Sequence, residues 1–193
     1  MGSGWFWTAL LVVAIAAAVL AVLIGHVSLR APAAALRLYR RHFPEPRHER
    51  LFLASVSFFV TFLLARGIAH AIALRVGPFA NVRIGAVHIH HLVWGILLLL
   101  GVGLCWLAQI GGGTSGTSPV ASRVTAVLYG AGAALTLDEF ALWLLLQDVY
   151  WTPQGRLSVH VALLFGSLLA VLTGGGRFFH AIVRESLLLL GRR

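Results

Sequence analysis

The sequence has little charge, no lysine and a single cysteine. Only 11% of its 193 residues are charged, whereas soluble domains carry about 25%. One cysteine, Cys105, excludes an intrachain disulfide and zinc sites built from several cysteines. An ordinary soluble domain and a disulfide-stabilised secreted domain are therefore excluded.

Apolar residues make up 59% of the chain, and its mean hydropathy is +0.90. This composition predicts an all-α fold, a polytopic transmembrane helical bundle that forms one domain over residues 1–193 and has the lipid bilayer as its partner. A span needs about 20 apolar residues. A C-terminal amphipathic helix is expected at 177–193, with a continuation of the last span as the alternative. The five predicted spans cover residues 5–28, 51–74, 91–110, 124–146 and 157–173.

The fifteen basic residues are all arginines, and they are distributed unevenly. A basic connection covers residues 30–50, where Pro44 and Pro46 prevent one continuous helix. Because arginine resists translocation, the side that holds most arginines is expected to be cytoplasmic. This predicts a bacterial plasma-membrane protein with its N-terminus outside and its C-terminus in the cytoplasm. The same bias explains the net charge of +9 without a nucleic-acid partner.

Ionisable side chains nevertheless occur inside the apolar segments, where a central charge costs about 2.5–3.5 kcal/mol. With alternating span directions, nearly all of them fall in the outer half of the membrane. The sequence therefore predicts an outward-facing site of histidines and carboxylates. Its candidate residues are Arg66, His70, His88, His90, His91, Asp138, Glu139, Asp148 and His160.

Helical spacing indicates which of these side chains share a face. Asp138 lies on a stripe of small residues that includes Gly130, which predicts that its carboxylate faces the bundle interior. His88 and His91 are three residues apart, so a helix would place them on one face. His90 is then expected to point elsewhere.

One interpretation of the site is a divalent metal centre for zinc, manganese or iron, which imidazole and carboxylate ligands suit. His88, His91 and Asp138 are its predicted ligands, with His90 as a further candidate. Glu139 and Asp148 are the candidate catalytic residues. Glu139 could orient a ligand or act as a base, and Asp148 could be the acceptor that orients a ligand histidine.

Other interpretations need no metal. Arg66 is expected at the depth of Asp138 and Glu139, so a buried ion pair would explain these charges structurally. A proton or ion relay through the histidines and carboxylates is another alternative. Haem ligation by His70 and His160 is a weaker one.

Three motifs resemble those of a family of small integral membrane proteins from actinobacteria and related bacteria. They are HIHHLVWG at 88–95, ALTLDEFALWL at 134–144 and DVYWTPQGRLS at 148–158. The resemblance covers residues 83–160 and implies a small membrane protein. The family has no established activity, so it implies no catalytic residues.

Two function classes follow from the sequence. The first is a metal-dependent enzyme that acts on a lipid or a lipid-linked substrate in the outer leaflet. The second is a non-catalytic protein, either a subunit of a membrane complex or a small proton or ion carrier. Spans with small-residue stripes also often self-associate, so a homo-oligomer is expected as an alternative to a complex partner.

The orientation can be tested by cysteine labelling of intact cells in a Cys105→Ser background. We expect a Glu45→Cys variant to resist a membrane-impermeant thiol reagent, because the basic connection lies inside. A cysteine in place of Gln154, beyond the fourth span, is expected to react from outside and serves as the matched control. Labelling of position 45 with protection of position 154 would reverse the orientation.

Overall fold

The computed structural model describes residues 43–79, 83–84, 87–112 and 118–174, and at 83–84 and 87–88 the backbone alone. Helices form most of this part of the chain, so the predicted all-α fold is confirmed in it. Two two-residue strands pair in antiparallel fashion, with Arg83 opposite His88. The elements are α1 Pro46–Ala73, β1 Arg83–Ile84, β2 Val87–His88, α2 His91–Leu107, α3 Pro119–Asp138, α4 Phe140–Leu145, a 3-10 turn at Pro153–Gly155, and α5 Arg156–Gly174.

Three helices of the described part are long and apolar enough to cross a membrane, namely α1, α3 and α5 with its preceding turn. Helix α2 is also apolar and has 17 residues, at the lower limit of about 17 residues for a span. These lengths indicate a membrane protein. The predicted first span at 5–28 and the predicted tail at 177–193 lie outside the described residues.

Helices α1 and α3 begin about one turn earlier than their predicted spans. Each has a proline in its first turn, Pro46 in α1 and Pro119 in α3. Proline suits this position because its fixed φ matches the helix and the N–H that it lacks would have no partner within the helix. Pro46, which is predicted to interrupt the basic connection, therefore starts the helix that follows it.

The helices α1 and α3 run parallel and are joined by ion pairs near both ends. Near their first turns, Arg123 Nε donates to Glu49 Oε1 at 2.8 Å. Toward their last turns, Arg66 of α1 pairs with Asp138 of α3. We call the end that holds this second pair the cluster end of the bundle.

Helix α2 runs antiparallel to α3, and α5 also starts at the cluster end. His91, the first residue of α2, contacts Asp138, whereas Gly111 beyond its last turn accepts a hydrogen bond from Thr125 Oγ1 at 3.1 Å. Ser158, in the first turn of α5, accepts a hydrogen bond from the Ala141 N–H at 2.9 Å. The described helices α1, α2, α3 and α5 therefore alternate in direction, as successive membrane spans must.

Small residues allow α1 and α3 to pack closely. A Cβ atom at Gly130 would collide with the carbonyl oxygen of Ala54. Beside this crossing, Ser57 Oγ donates to the Val127 carbonyl at 2.8 Å. The stripe that contains Gly130 thus faces a neighbouring helix, as its residues predict, and it places Asp138 in the interior.

The predicted fourth span is divided at Glu139. Helix α3 ends at Asp138, and α4 begins at Phe140 after Glu139 leaves helical geometry with φ −110° and ψ 27°. The Asp138 carbonyl instead accepts a hydrogen bond from Arg66 Nη2 at 3.0 Å. The interruption therefore lies where two consecutive acidic side chains turn toward neighbouring segments.

The glycine at the crossing of α1 and α3 offers a test of this packing. We expect Gly130→Ala to lower the free energy of unfolding in detergent by about 1–3 kcal/mol, because the added methyl group meets backbone that must move. Gly101→Ala is the matched control: apart from its chain neighbours and the backbone of its own helix, no atom lies within 4 Å of the added methyl group. This substitution should be neutral or gain about 0.5–1 kcal/mol from helix propensity. Equal effects of both substitutions on thermal unfolding would contradict the close crossing.

Candidate functional site

Asp138 is the centre of a set of charged side chains at the cluster end. Its side chain is completely buried, with 0% exposure. Arg66 Nε donates to Oδ1, while His91 Nε2 lies 2.8 Å from Oδ2. Tyr150 Oη also donates to Oδ2, at 2.9 Å. One carboxylate thus contacts α1, α2 and the loop after α4.

Glu139 is the second buried carboxylate, and it caps the start of α2. Its Oε2 accepts a hydrogen bond from the Leu92 N–H at 3.0 Å, and its Oε1 lies 2.8 Å from His90 Nδ1. The first N–H groups of a helix have no partner within it and carry a partial positive charge. His90, the N-cap residue, makes no side-chain capping bond. A carboxylate from the junction between α3 and α4 therefore supplies the missing acceptor.

His91 lies between the two carboxylates. In addition to Nε2 at Asp138, its Nδ1 lies 3.5 Å from Glu139 Oε1. An imidazole can donate from both nitrogens only when it is doubly protonated. In that form, the charges of Arg66 and His91 balance those of Asp138 and Glu139. We call Arg66, His90, His91, Asp138 and Glu139 the charge cluster.

Tyr150 and Trp151 form an aromatic pair against the charge cluster. The Arg66 guanidinium carbon lies 4.3 Å from the centre of the Tyr150 ring, a cation–π distance. Burial, reinforced by the negative charge of Asp138, raises the pKa of the Tyr150 phenol above its ordinary value. The phenol therefore stays protonated and acts as a hydrogen-bond donor. Trp151 packs against both Tyr150 and His70, with ring centres 4.9 Å apart in each contact.

The structure brings together five of the nine candidate site residues, namely Arg66, His90, His91, Asp138 and Glu139. His90 contacts Glu139, although helical spacing predicts that it points elsewhere. The spacing argument fails here because α2 begins at His91 and His90 is in extended conformation, with φ −73° and ψ 147°. The backbone of His88 belongs to β2, so His88 and His91 are not on one helical face.

Asp148 and His70 are not part of the charge cluster. Asp148 is exposed, and its Oδ1 accepts a hydrogen bond from the Tyr150 N–H at 3.4 Å. It therefore organises the loop that carries Tyr150. His70 Nδ1 bonds to the Arg66 carbonyl one turn earlier in α1, at 2.8 Å.

Sequence reasoning missed two donors of the site, the Tyr150 hydroxyl and the Leu92 N–H. Tyr150 is not among the residues that the sequence predicts for the site, and only its place in a polar-aromatic loop beside Asp148 points to it. A backbone N–H leaves no signal in the residue type. Arg66, in contrast, is predicted from the sequence, because the ion-pair interpretation makes it the partner of Asp138 or Glu139.

The metal interpretation remains a prediction. Within the described part of the chain, no three or more His, Cys, Asp or Glu side chains are arranged to hold a metal ion. The side chain of His88, one of the predicted ligands, lies outside the described part of the chain. The Asp138 oxygens, moreover, accept hydrogen bonds from Arg66 and Tyr150, and these bonds would compete with a metal ion.

Comparison with known proteins identifies no relative: no family model matches the chain, and no curated protein or solved structure has significant similarity to it. Membership of the actinobacterial membrane family therefore also stays a prediction.

Proposed function

We propose that the chain is a five-span protein of the bacterial plasma membrane, with its N-terminus outside, its C-terminus inside and its charge cluster toward the outer face. We further propose that the cluster is a structural ion-pair network that assembles the helices and that the protein is non-catalytic. Three membrane-length apolar helices and the alternating helix directions support the membrane assignment.

The contacts of Asp138 carry this proposal. A fully buried carboxylate costs several kcal/mol of desolvation, which good geometry and further hydrogen bonds must offset. Asp138 meets this condition with the guanidinium of Arg66 and the imidazole of His91, from two helices, and with the hydroxyl of Tyr150. Such saturation suits a structural role, because a carboxylate that binds a substrate needs an oxygen that is open to it.

In a bilayer, a network of this kind is important for the association of the helices. Lipid chains are as apolar as leucine side chains, so helices in a membrane gain little from the hydrophobic effect when they associate. Exposed leucines on α2, among them Leu97, Leu100 and Leu104, fit a lipid-facing surface. Close packing at Gly130 and the polar contacts of the cluster are then what selects the arrangement of the helices.

A double-mutant cycle tests the structural role. We expect Arg66→Leu alone to lower the free energy of unfolding in detergent by about 3–5 kcal/mol, since it leaves Asp138 buried without its guanidinium partner. The double variant Arg66→Leu with Asp138→Leu should recover much of this loss, because both charges are then removed. Thermal unfolding of the purified protein, with each single variant, measures the coupling.

Arg156→Leu is the matched control, because it makes the same substitution at an exposed residue of the same end. Exposed substitutions usually change stability by less than about 0.5 kcal/mol. Strictly additive effects of the Arg66 and Asp138 substitutions would contradict the ion-pair network.

A second candidate function is a metal-dependent enzyme acting on a lipid or a lipid-linked substrate. The observation that favours it is the convergence of His90 and His91 with two carboxylates, since imidazole and carboxylate suit zinc, manganese and iron. A shared ion would replace the direct contact between His91 and Asp138 and would lie between their side chains.

Elemental analysis of the purified full chain separates the two candidates. The structural proposal predicts no stoichiometric metal in wild-type protein. Zinc, manganese or iron that is bound stoichiometrically, and lost in His91→Ala but retained in His160→Ala, would support the metal site instead. His160 is an exposed residue of α5 and controls for the general loss of a histidine.

A further inference from the structure

The backbone of the loop between α4 and α5 is held in place next to both helices. Val149 is buried, and the Gly155 N–H donates to the Thr152 carbonyl at 3.0 Å. A Cβ atom at Gly155 would collide with the carbonyl oxygens of Val149 and Tyr150. The backbone on both sides of Tyr150 and Trp151 is thus held in place at the edge of the bundle.

From this anchored backbone, the two aromatic side chains reach across the cluster end to α1. The Tyr150 ring lies over the Arg66 guanidinium, and the Trp151 ring packs edge-on against His70. Tyr150 also donates its hydroxyl to Asp138. Trp151 has 58% of its surface exposed, so it forms the outer layer.

The residues beneath the rings are the most buried charges of the cluster. Asp138 and Glu139 have exposures of 0% and 5%, whereas the side chains at the rim, Arg66 and His91, keep 17% and 27%. Hydration of the buried carboxylates would weaken their bonds to Arg66 and His91, because ion pairs are much weaker in water than in a low-dielectric interior. Tyr150 contacts Arg66 at this rim, so the aromatic layer lies on a side from which water would reach the carboxylates.

We propose that Tyr150 and Trp151 form an aromatic gate that controls the access of water and small polar solutes to the buried carboxylates of the charge cluster. In the closed state, the gate is held by one hydrogen bond, one cation–π contact and ring contacts. Rotation of two side chains on an anchored backbone opens it, without separating the helices. The gate is inferred from the geometry of the charge cluster, and it does not require the protein to be non-catalytic.

Chemical labelling of the folded full chain in detergent tests the gate. The probe is a water-soluble carbodiimide with an amine nucleophile, which modifies accessible carboxyl groups, and peptide mass spectrometry measures the rate at each site. In wild-type protein, Asp138 and Glu139 should react far more slowly than the exposed Asp148. Tyr150→Ala should accelerate their modification at least about tenfold, because it removes contacts that hold the closed state.

Two further variants separate the parts of the gate. Tyr150→Phe keeps the ring but loses the bond to Asp138, so its rate should lie between those of wild type and Tyr150→Ala. Trp151→Ala does not alter any group bonded to Asp138, so it tests the gate if Tyr150→Ala fails to fold. Tyr129→Ala is the matched control, because Tyr129 packs on Trp106 away from the cluster end and its loss should leave the rates unchanged.

The gate is overturned if Asp138 and Glu139 react in wild type as fast as Asp148, or if Trp151→Ala and Tyr150→Ala label no faster than Tyr129→Ala. Rates are compared only below the onset of thermal unfolding of each variant. A failed gate would leave the coupling between Arg66 and Asp138 intact, whereas a failed ion-pair network would appear as additive unfolding energies. The two failures are therefore distinguishable.

Discussion

The ion pair between Arg66 and Asp138 is the interaction on which the arrangement of the described helices depends. It joins two parallel helices at the end where α2 and α5 begin, and its carboxylate has no contact with solvent. In an apolar environment, a buried charge without its partner is strongly unfavourable. The rotation and depth of α1 and α3 are therefore restricted to arrangements in which the two side chains meet.

Glu139, the second buried carboxylate, restricts the position of α2 relative to α3. Because Glu139 follows Asp138 directly, fixing one carboxylate also fixes the position of the other. Glu139 then meets the Leu92 N–H and the two histidines, so that α2 begins at a defined point against α3. The interruption between α3 and α4 is the structural consequence, since consecutive residues of an unbroken helix project about 100° apart. Because the chain leaves the helix at Glu139, the side chains of Asp138 and Glu139 can both contact groups at the same end of the bundle.

The aromatic pair adds a boundary between this network and water. Tyr150 combines a cation–π contact to Arg66 with a hydrogen bond that its phenol donates to Asp138. Trp151 covers it from outside and reaches His70. The loop between the last two described helices thus has a defined relation to the charge cluster, which a simple spacer would not have.

Much of the helical fold could be predicted from the sequence, because apolarity and length act on each segment by itself. The same holds for the inward direction of Asp138, which its stripe of small residues with Gly130 determines. Only the tertiary structure decided that His90 meets Glu139, that Glu139 caps α2 and that Tyr150 meets Asp138. These contacts depend on where α2 begins and on how four segments are rotated against one another. No local pattern of residues contains that information, since it arises from the requirement that all buried charges find partners at once.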